Sequence, residues 1–247
     1  MPAVFVHGNP ESPAIWRALF DALDRDDLIA LAPPGFGAPV PEGFGATRAD
    51  YVEWLSGELA AIEGPIDLVG HDWGGGHVLG YLIENPGSVR SWCVDLLGIL
   101  HPDYVWHDAA QVWQTPGAGE ENIAAMVGAP MADIAVMYEA LGMTPAVAAD
   151  VAASVNEDMG RCVLALYRDA AQPALVELGR SAESLRVKPG LMINAENDGY
   201  VGTDVMAQEV ADRAGAQVVH LDGVGHWWMC ESPERGAATL ETFWASL

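Results

Sequence analysis

The sequence predicts an α/β fold in which a mostly parallel sheet of about six strands carries helices on both faces. Three observations predict it. Short, nearly continuous apolar runs have the character of buried parallel strands, and segments with apolar residues three and four positions apart separate most of them. A long helical interval in the middle interrupts that alternation without ending it.

Ala3–Val6 is the first apolar run, and Ala14–Leu23 follows it with helical spacing. Leu28–Leu31 is the next strand, and Arg48–Ile62 the next amphipathic helix. Ile66–Val69 is short and apolar with β-branched residues, then Gly75–Glu84 packs as a helix. Trp92–Leu97 is a fourth strand. After the interruption come strand Leu191–Asn194, helix Asp204–Ala214, strand Gln217–Leu221 and helix Pro233–Trp244. Right-handed crossovers between such strands place helices on both sides of the sheet. The interval 99–187 is rich in Ala, Met and aromatic residues, with helical stretches at Asn122–Leu141, Pro145–Val155 and Met159–Ala171. It is expected to be a helical cap inserted into a core made of residues 1–98 and 188–247.

Composition narrows the function. Eleven Lys and Arg against 35 Asp and Glu give a formal charge of −24, which repels phosphate backbones and anionic lipid surfaces. Neither a nucleic acid nor a membrane partner is expected. Cys93, Cys162 and Cys230 are odd in number and widely spaced, with no metal-ligand pattern, and are expected to be buried thiols in a reducing compartment. The first residues have no basic region, their apolar run is too short for a signal peptide, and no stretch approaches a membrane span. A cytoplasmic location is the expectation, and no metal or cofactor is implied. Oligomeric state has no signature in these residues.

The most informative segment is Val69-Gly70-His71-Asp72-Trp73-Gly74-Gly75. It joins a predicted strand to a predicted helix, so Asp72 falls at a sharp corner that flanking glycines permit, as in the G-x-S-x-G elbow of serine hydrolases. The helix N-terminus behind it favours an anion. An aspartate capping a helix has the same local pattern. A nucleophilic aspartate also needs a base to activate water and an acid to orient that base. His226, in the glycine-bracketed loop Gly223-Val224-Gly225-His226-Trp227 after the last strand, is the candidate base. Asp198, after the preceding strand, is the candidate acid; Asp95 and Glu196 are its rivals. The order Asp72, Asp198, His226 is nucleophile, acid, base.

Together with His7-Gly8-Asn9-Pro10-Glu11-Ser12 and Trp16-Arg17, these residues make the chain resemble, over nearly its whole length, the α/β-hydrolase branch that contains epoxide hydrolases and haloalkane dehalogenases. That resemblance implies an α/β-hydrolase fold, an oxyanion hole from the backbone N–H groups of Asn9 and Trp73, and a covalent alkyl ester at Asp72. The family usually has two further strands before the Asn9 loop, hence the expectation of about six here. Carboxylate attack on an sp³ carbon leaves an ester that water can cleave, whereas serine would leave a stable ether. The expected partners are therefore a small apolar organic substrate and water.

Two leaving groups compete. Epoxide hydrolases protonate the opening ring with two cap tyrosines. Tyr167, followed by Arg168 and lying 31 positions before Asp198, resembles one of them, while Ala109 stands at the other's apparent place and Tyr104 is a candidate substitute that no spacing establishes. Related dehalogenases hold a halide with the residues equivalent to Asn9 and Trp73. The sequence favours epoxide opening to a diol, with a haloalkane dehalogenase as the alternative and a non-catalytic ligand-binding relative as a reading of another class. Trp106, Trp113, Trp227 and Trp228 lie in or near the site segments, Trp113 being a candidate substrate contact. His7 and His71 are expected to pack loops, and His77, His101, His107 and His220 to be structural.

Overall fold

The computed structural model describes residues 1–247. Six strands, β1 (Ala3–Val6), β2 (Leu28–Leu31), β3 (Asp67–Gly70), β4 (Ser91–Val94), β5 (Gly190–Ala195) and β6 (Ala216–Leu221), form one sheet of order β2-β1-β3-β4-β5-β6. Every pairing is parallel, with Ala3 opposite both Leu28 and Asp67. β1, β3, β4 and β5 are buried throughout, which is why they read as continuous apolar runs.

Side-chain alternation along the strands divides the interior into two cores. Val4, Val6, Leu68, Val94 and Met192 face one side, covered by helices α2 (Arg48–Ala60), α3 (Trp73–Glu84) and α10 (Asp204–Ala214). Ala3, Phe5, Val69, Cys93, Leu191 and Ile193 face the other, covered by α1 (Arg17–Ala22), the short α11 (Trp228–Glu231) and α12 (Pro233–Ala245). The sheet is thus the middle of three layers. Thr47 starts α2 with a capping box in which its hydroxyl and the Asp50 carboxylate satisfy each other's backbone N–H.

Between β4 and β5 lie α4 (Asp108–Gln114), α5 (Ala118–Gly128), α6 (Met131–Ala140), α7 (Pro145–Ser154), α8 (Glu157–Asp169) and α9 (Ala174–Gly179). α4 and α5 pack on α8, whereas α6 and α7 pair with each other. The short 3₁₀ turns that flank this interval, Leu97–Leu100 and Ala182–Val187, both pack on α10 of the sheet domain.

Several boundaries differ from the sequence expectation, and three of the differences have a local reason. The expected helix Asn122–Leu141 is two helices, because Pro130 has no N–H and favours an extended residue before it; Ala129 has φ −71° and ψ 147°. The pair bends by 105° there, and no single helix is long and apolar enough to cross a membrane. The expected helix Ala14–Leu23 begins as a 3₁₀ turn at Pro13, capped by Ser12. The expected strand Trp92–Leu97 stops at Val94, where the chain turns into the Leu97–Leu100 segment. All three cysteines are buried and unpaired.

Candidate active site

Five loops leave the C-terminal ends of parallel strands and converge: His7–Ser12 after β1, His71–Asp72 after β3, Asp95 after β4, Glu196–Tyr200 after β5 and Asp222–Trp227 after β6. In an open α/β sheet this is the edge where ligands bind. Asp72 sits at the corner between β3 and α3 with φ 47° and ψ −130°, a backbone region that non-glycine residues rarely occupy. The corner is tight because Gly74 lies directly against the Val6 carbonyl and Gly8 against the Asp72 side chain; a Cβ at either position would collide.

The corner presents Asp72 with its two oxygens in different settings. Oδ1 accepts the Asn9 backbone N–H at 2.9 Å. Oδ2 lies 3.9 Å from His226 Nε2, beyond hydrogen-bonding reach. The first N–H groups of a helix have no intrahelical partner, so the Trp73 N–H, at the start of α3, is not used by the helix itself. On the far side of the imidazole, His226 Nδ1 and Asp198 Oδ2 are 2.7 Å apart, and Asp198 Oδ1 accepts the Tyr200 N–H at 2.9 Å. Asp72, His226 and Asp198 therefore form a continuous line. Asp72 is the most open of the three, with its side chain 15% exposed against 6% for His226 and 3% for Asp198.

The electrostatics follow from burial opposed by pairing. Burial pushes the Asp72 carboxyl up, His226 draws it down and Glu11 pushes it up again, leaving it at about 6. Burial also pushes Asp198 up, but His226 outweighs it and holds the carboxylate below its usual range. Burial lowers His226, but Asp198 and Asp72 together raise it further, and it ends above the ordinary imidazole value. Neither rival takes the acid's place: Glu196 accepts the Gly223 N–H, and Asp95 binds the Asp72 N–H, His71 Nδ1 and the Trp228 indole.

A cavity of about 440 Å³ opens in front of Asp72 and His226. α4, α5 and α6 wall it with Trp113, Met126, Ile134 and Met137, and Asn9, Tyr167 and Tyr200 complete the inner end. No Lys or Arg lines it. Asn9 is 5% exposed, and both polar atoms of its side-chain amide are buried without a partner. A donor left bare in this way costs stability unless something arrives to use it.

The other expected site residues divide. Tyr167 borders the cavity and packs edge-on against Trp73 at 5.4 Å between ring centres. Tyr104 lies outside the cavity wall but borders the small void at Asp72, and its hydroxyl donates to the Tyr200 carbonyl at 2.7 Å. Trp113 is wall rather than donor; its indole N–H goes to Asn122 Oδ1 at 2.8 Å. Trp106 stacks on Trp73, and Trp227 and Trp228 point their N–H groups at buried carboxylates. His71 does more than pack a loop, as described below, and His107 borders the cavity, where burial holds its imidazole down at about 4. His77 stacks on Tyr51, as a structural residue does. Tyr200, Tyr138 and Glu11 had no role from sequence. Tyr200 is two residues from Asp198 and Glu11 lies within the Asn9 loop, so both stood beside motifs; Tyr138 reaches the cavity only through tertiary packing.

A second cavity, of about 260 Å³, lies along α3 between Val52, His77, Ile99 and Leu175. Trp73 borders it and also borders a small void that touches Asp72 and Tyr167.

Residues 3–239 match the alpha/beta hydrolase family. The chain belongs to that family. A curated relative of this α/β hydrolase, a cis-3-alkyl-4-alkyloxetan-2-one decarboxylase of Shewanella oneidensis, is 34% identical over 111 residues; the match covers 41% of this chain and 34% of the relative, about a third of its length. Among solved structures, haloalkane dehalogenase DbeA of Bradyrhizobium elkani USDA94 has a TM-score of 0.73 at 22% identity, covering 100% of this chain and 91% of that one. Carboxylesterase CesB of Bacillus subtilis has a TM-score of 0.70 at 20% identity, covering 100% and 84%. At such identities the likeness is one of fold, and this α/β hydrolase must be read from its own site.

Proposed function

We propose that this α/β hydrolase uses Asp72 to displace a leaving group from an sp³ carbon, forming a covalent ester that water then hydrolyses. The observation that carries the reading is the asymmetric carboxylate, with Oδ1 tied to the Asn9 N–H and Oδ2 free of His226 and facing an apolar cavity. In the first step Oδ2 bonds to the substrate carbon while the carbon–leaving-group bond breaks and its electron pair departs with the leaving group. In the second, His226 takes a proton from water, the hydroxide adds to the Asp72 carboxyl carbon, and the charge on Oδ1 is met by the Asn9 and Trp73 N–H groups. Collapse releases the alcohol, which takes its proton from His226, and leaves Asp72 as the carboxylic acid, whose proton passes to solvent to restore the carboxylate. Asp198 holds the ring with Nε2 toward the water.

The leaving group that the site supports best is a halide. This reverses the order of the two sequence expectations, for two reasons: Tyr104 is spent on a backbone carbonyl, and Asn9 keeps a buried amide with no partner beside the nucleophile. An epoxide remains the second reading because Tyr167 borders the cavity next to Asp72. The absence of cationic side chains in the wall argues against anionic substrates in either case.

Intact mass after incubating the His226→Gln variant with a bromoalkane, an aryl epoxide and a dialkyl-oxetanone tests this. A gain equal to the bromoalkane minus HBr supports the halide reading, and a gain equal to the whole epoxide supports the second. Asp72→Ala should abolish turnover without unfolding the chain, and activity surviving in that variant would sink the mechanism.

A further inference from the structure

Beneath Asp72 lies a second carboxylate–imidazole–carboxylate line to which neither reaction step above assigns a part. His71 Nδ1 is 2.5 Å from Asp95 Oδ2, and its Nε2 is 3.1 Å from Glu11 Oε1. All three side chains are essentially inaccessible, at 0%, 3% and 0% exposure for His71, Asp95 and Glu11. With a carboxylate oxygen at each ring nitrogen, both nitrogens must donate, so the geometry calls for an imidazolium. The two carboxylates are otherwise satisfied by the Trp228 indole on Asp95 at 2.8 Å and the Trp227 indole on Glu11 at 2.5 Å.

What this line connects gives it a purpose. Asp95 Oδ1 accepts the backbone N–H of Asp72 at 3.0 Å, and Glu11 Oε2 accepts that of Gly8 at 2.9 Å. The next N–H after Asp72 belongs to Trp73 and the next after Gly8 belongs to Asn9. The two donors of the proposed oxyanion hole therefore lie on two separate loops, each tied through one carboxylate to the same buried ring. We propose that His71, through Glu11 and Asp95, is a positioning residue that fixes the separation of these donors and thereby governs hydrolysis of the covalent ester rather than its formation.

The two steps respond differently because charge moves in opposite directions. During ester formation the Asp72 carboxylate loses its charge, so its N–H donors are not needed more in the transition state than before it. During hydrolysis the neutral ester carbonyl becomes an oxyanion, and donors held at the right distance stabilise what forms. Loosening the line should therefore slow the second step selectively. A line that merely held the fold together would slow both.

The inference rests on Asp72 being the nucleophile, and the test separates the two ideas. Ester formation and ester loss are followed by rapid-quench intact mass in the wild type, Glu11→Ala, Glu11→Gln and His226→Gln proteins, with a bromoalkane as substrate. Glu11→Ala cuts the line at the Gly8 side while leaving His71 on Asp95. It is expected to form ester within about 3-fold of the wild-type rate and to lose it about 10- to 100-fold more slowly, so that adduct accumulates. Glu11→Gln keeps the shape without the charge and should fall between; it carries the test if the alanine variant does not fold. Equal slowing of both steps, or unchanged ester loss, in Glu11→Gln overturns the proposal. Absence of adduct in His226→Gln overturns the nucleophile reading and this one with it, whereas adduct there with unaltered Glu11 variants overturns this one alone.

Discussion

Asp72 must be ionised to attack, yet its surroundings resist ionisation. Its carboxyl stands at about 6 because burial and Glu11 outweigh the pull of His226. Ester formation should therefore rise with pH through about 6 and level off above it; a rate already flat from pH 5 would contradict this. The same group has a stability consequence whose sign can be worked out. Its folded value lies above the unfolded one of about 4, so folding loses stability as pH climbs between the two, and the loss is complete above about 6. Asp72→Asn should accordingly be more stable than the wild type at pH 8, by about 1–3 kcal/mol, with the gap closing toward pH 4, as urea denaturation at the two pH values would show. Legibility at this scale depended on position. Asp72, Asp198 and His226 each follow a strand directly and could be found by pattern; the choice of Asp198 over Asp95 and Glu196 needed the 2.7 Å contact with His226. Glu11 was visible as an acid in a quoted motif, but its partners arrive from residues 71 and 227, and no spacing rule links those positions.

Elements carry the next set of constraints. β3, the Asp72 corner and α3 work as a unit because α3 approaches the end of β1 closely enough to put Gly74 on the Val6 carbonyl. Gly74→Ala should cost about 1–3 kcal/mol, or more if the corner cannot shift, and should impair activity along with stability. Equal stability of the two proteins in denaturant would mean that the corner has slack. In the interval between β4 and β5, Tyr167→Phe should change epoxide turnover far more than bromoalkane turnover, since an O–H donor serves only the former; Tyr104→Phe should affect the two substrates alike, through the loss of its bond to Tyr200. A substrate-independent effect of Tyr167→Phe would remove the epoxide reading. Buried strands and long amphipathic helices were legible from periodicity. The break at Pro130 and the short helices α4 and α9 were not, because hydrophobic spacing runs on across a turn whose geometry is decided by one missing N–H.

The whole molecule carries a formal charge of −24 on 247 residues, and its salt bridges are few, with several on the surface, such as Arg168 with Glu120 and Arg161 with Asp158. Like-charge repulsion across the surface should then exceed local attraction. Adding about 0.5 M NaCl should raise the unfolding midpoint by about 2–4 °C, equivalent to about 1 kcal/mol, where a protein dominated by its salt bridges would lose stability. A scanning calorimetry series in NaCl distinguishes the two.

Trp73 has a further consequence at this scale. Its ring lines both the 260 Å³ hollow along α3 and the small void that touches Asp72 and Tyr167, so one side chain in the turn that holds the nucleophile is common to the two. A smaller residue at position 73 would open room along α3 behind Asp72, away from the cavity that α4, α5 and α6 wall. How far a substrate can reach past the carboxylate would then be set by the space behind it rather than by the chemistry in front.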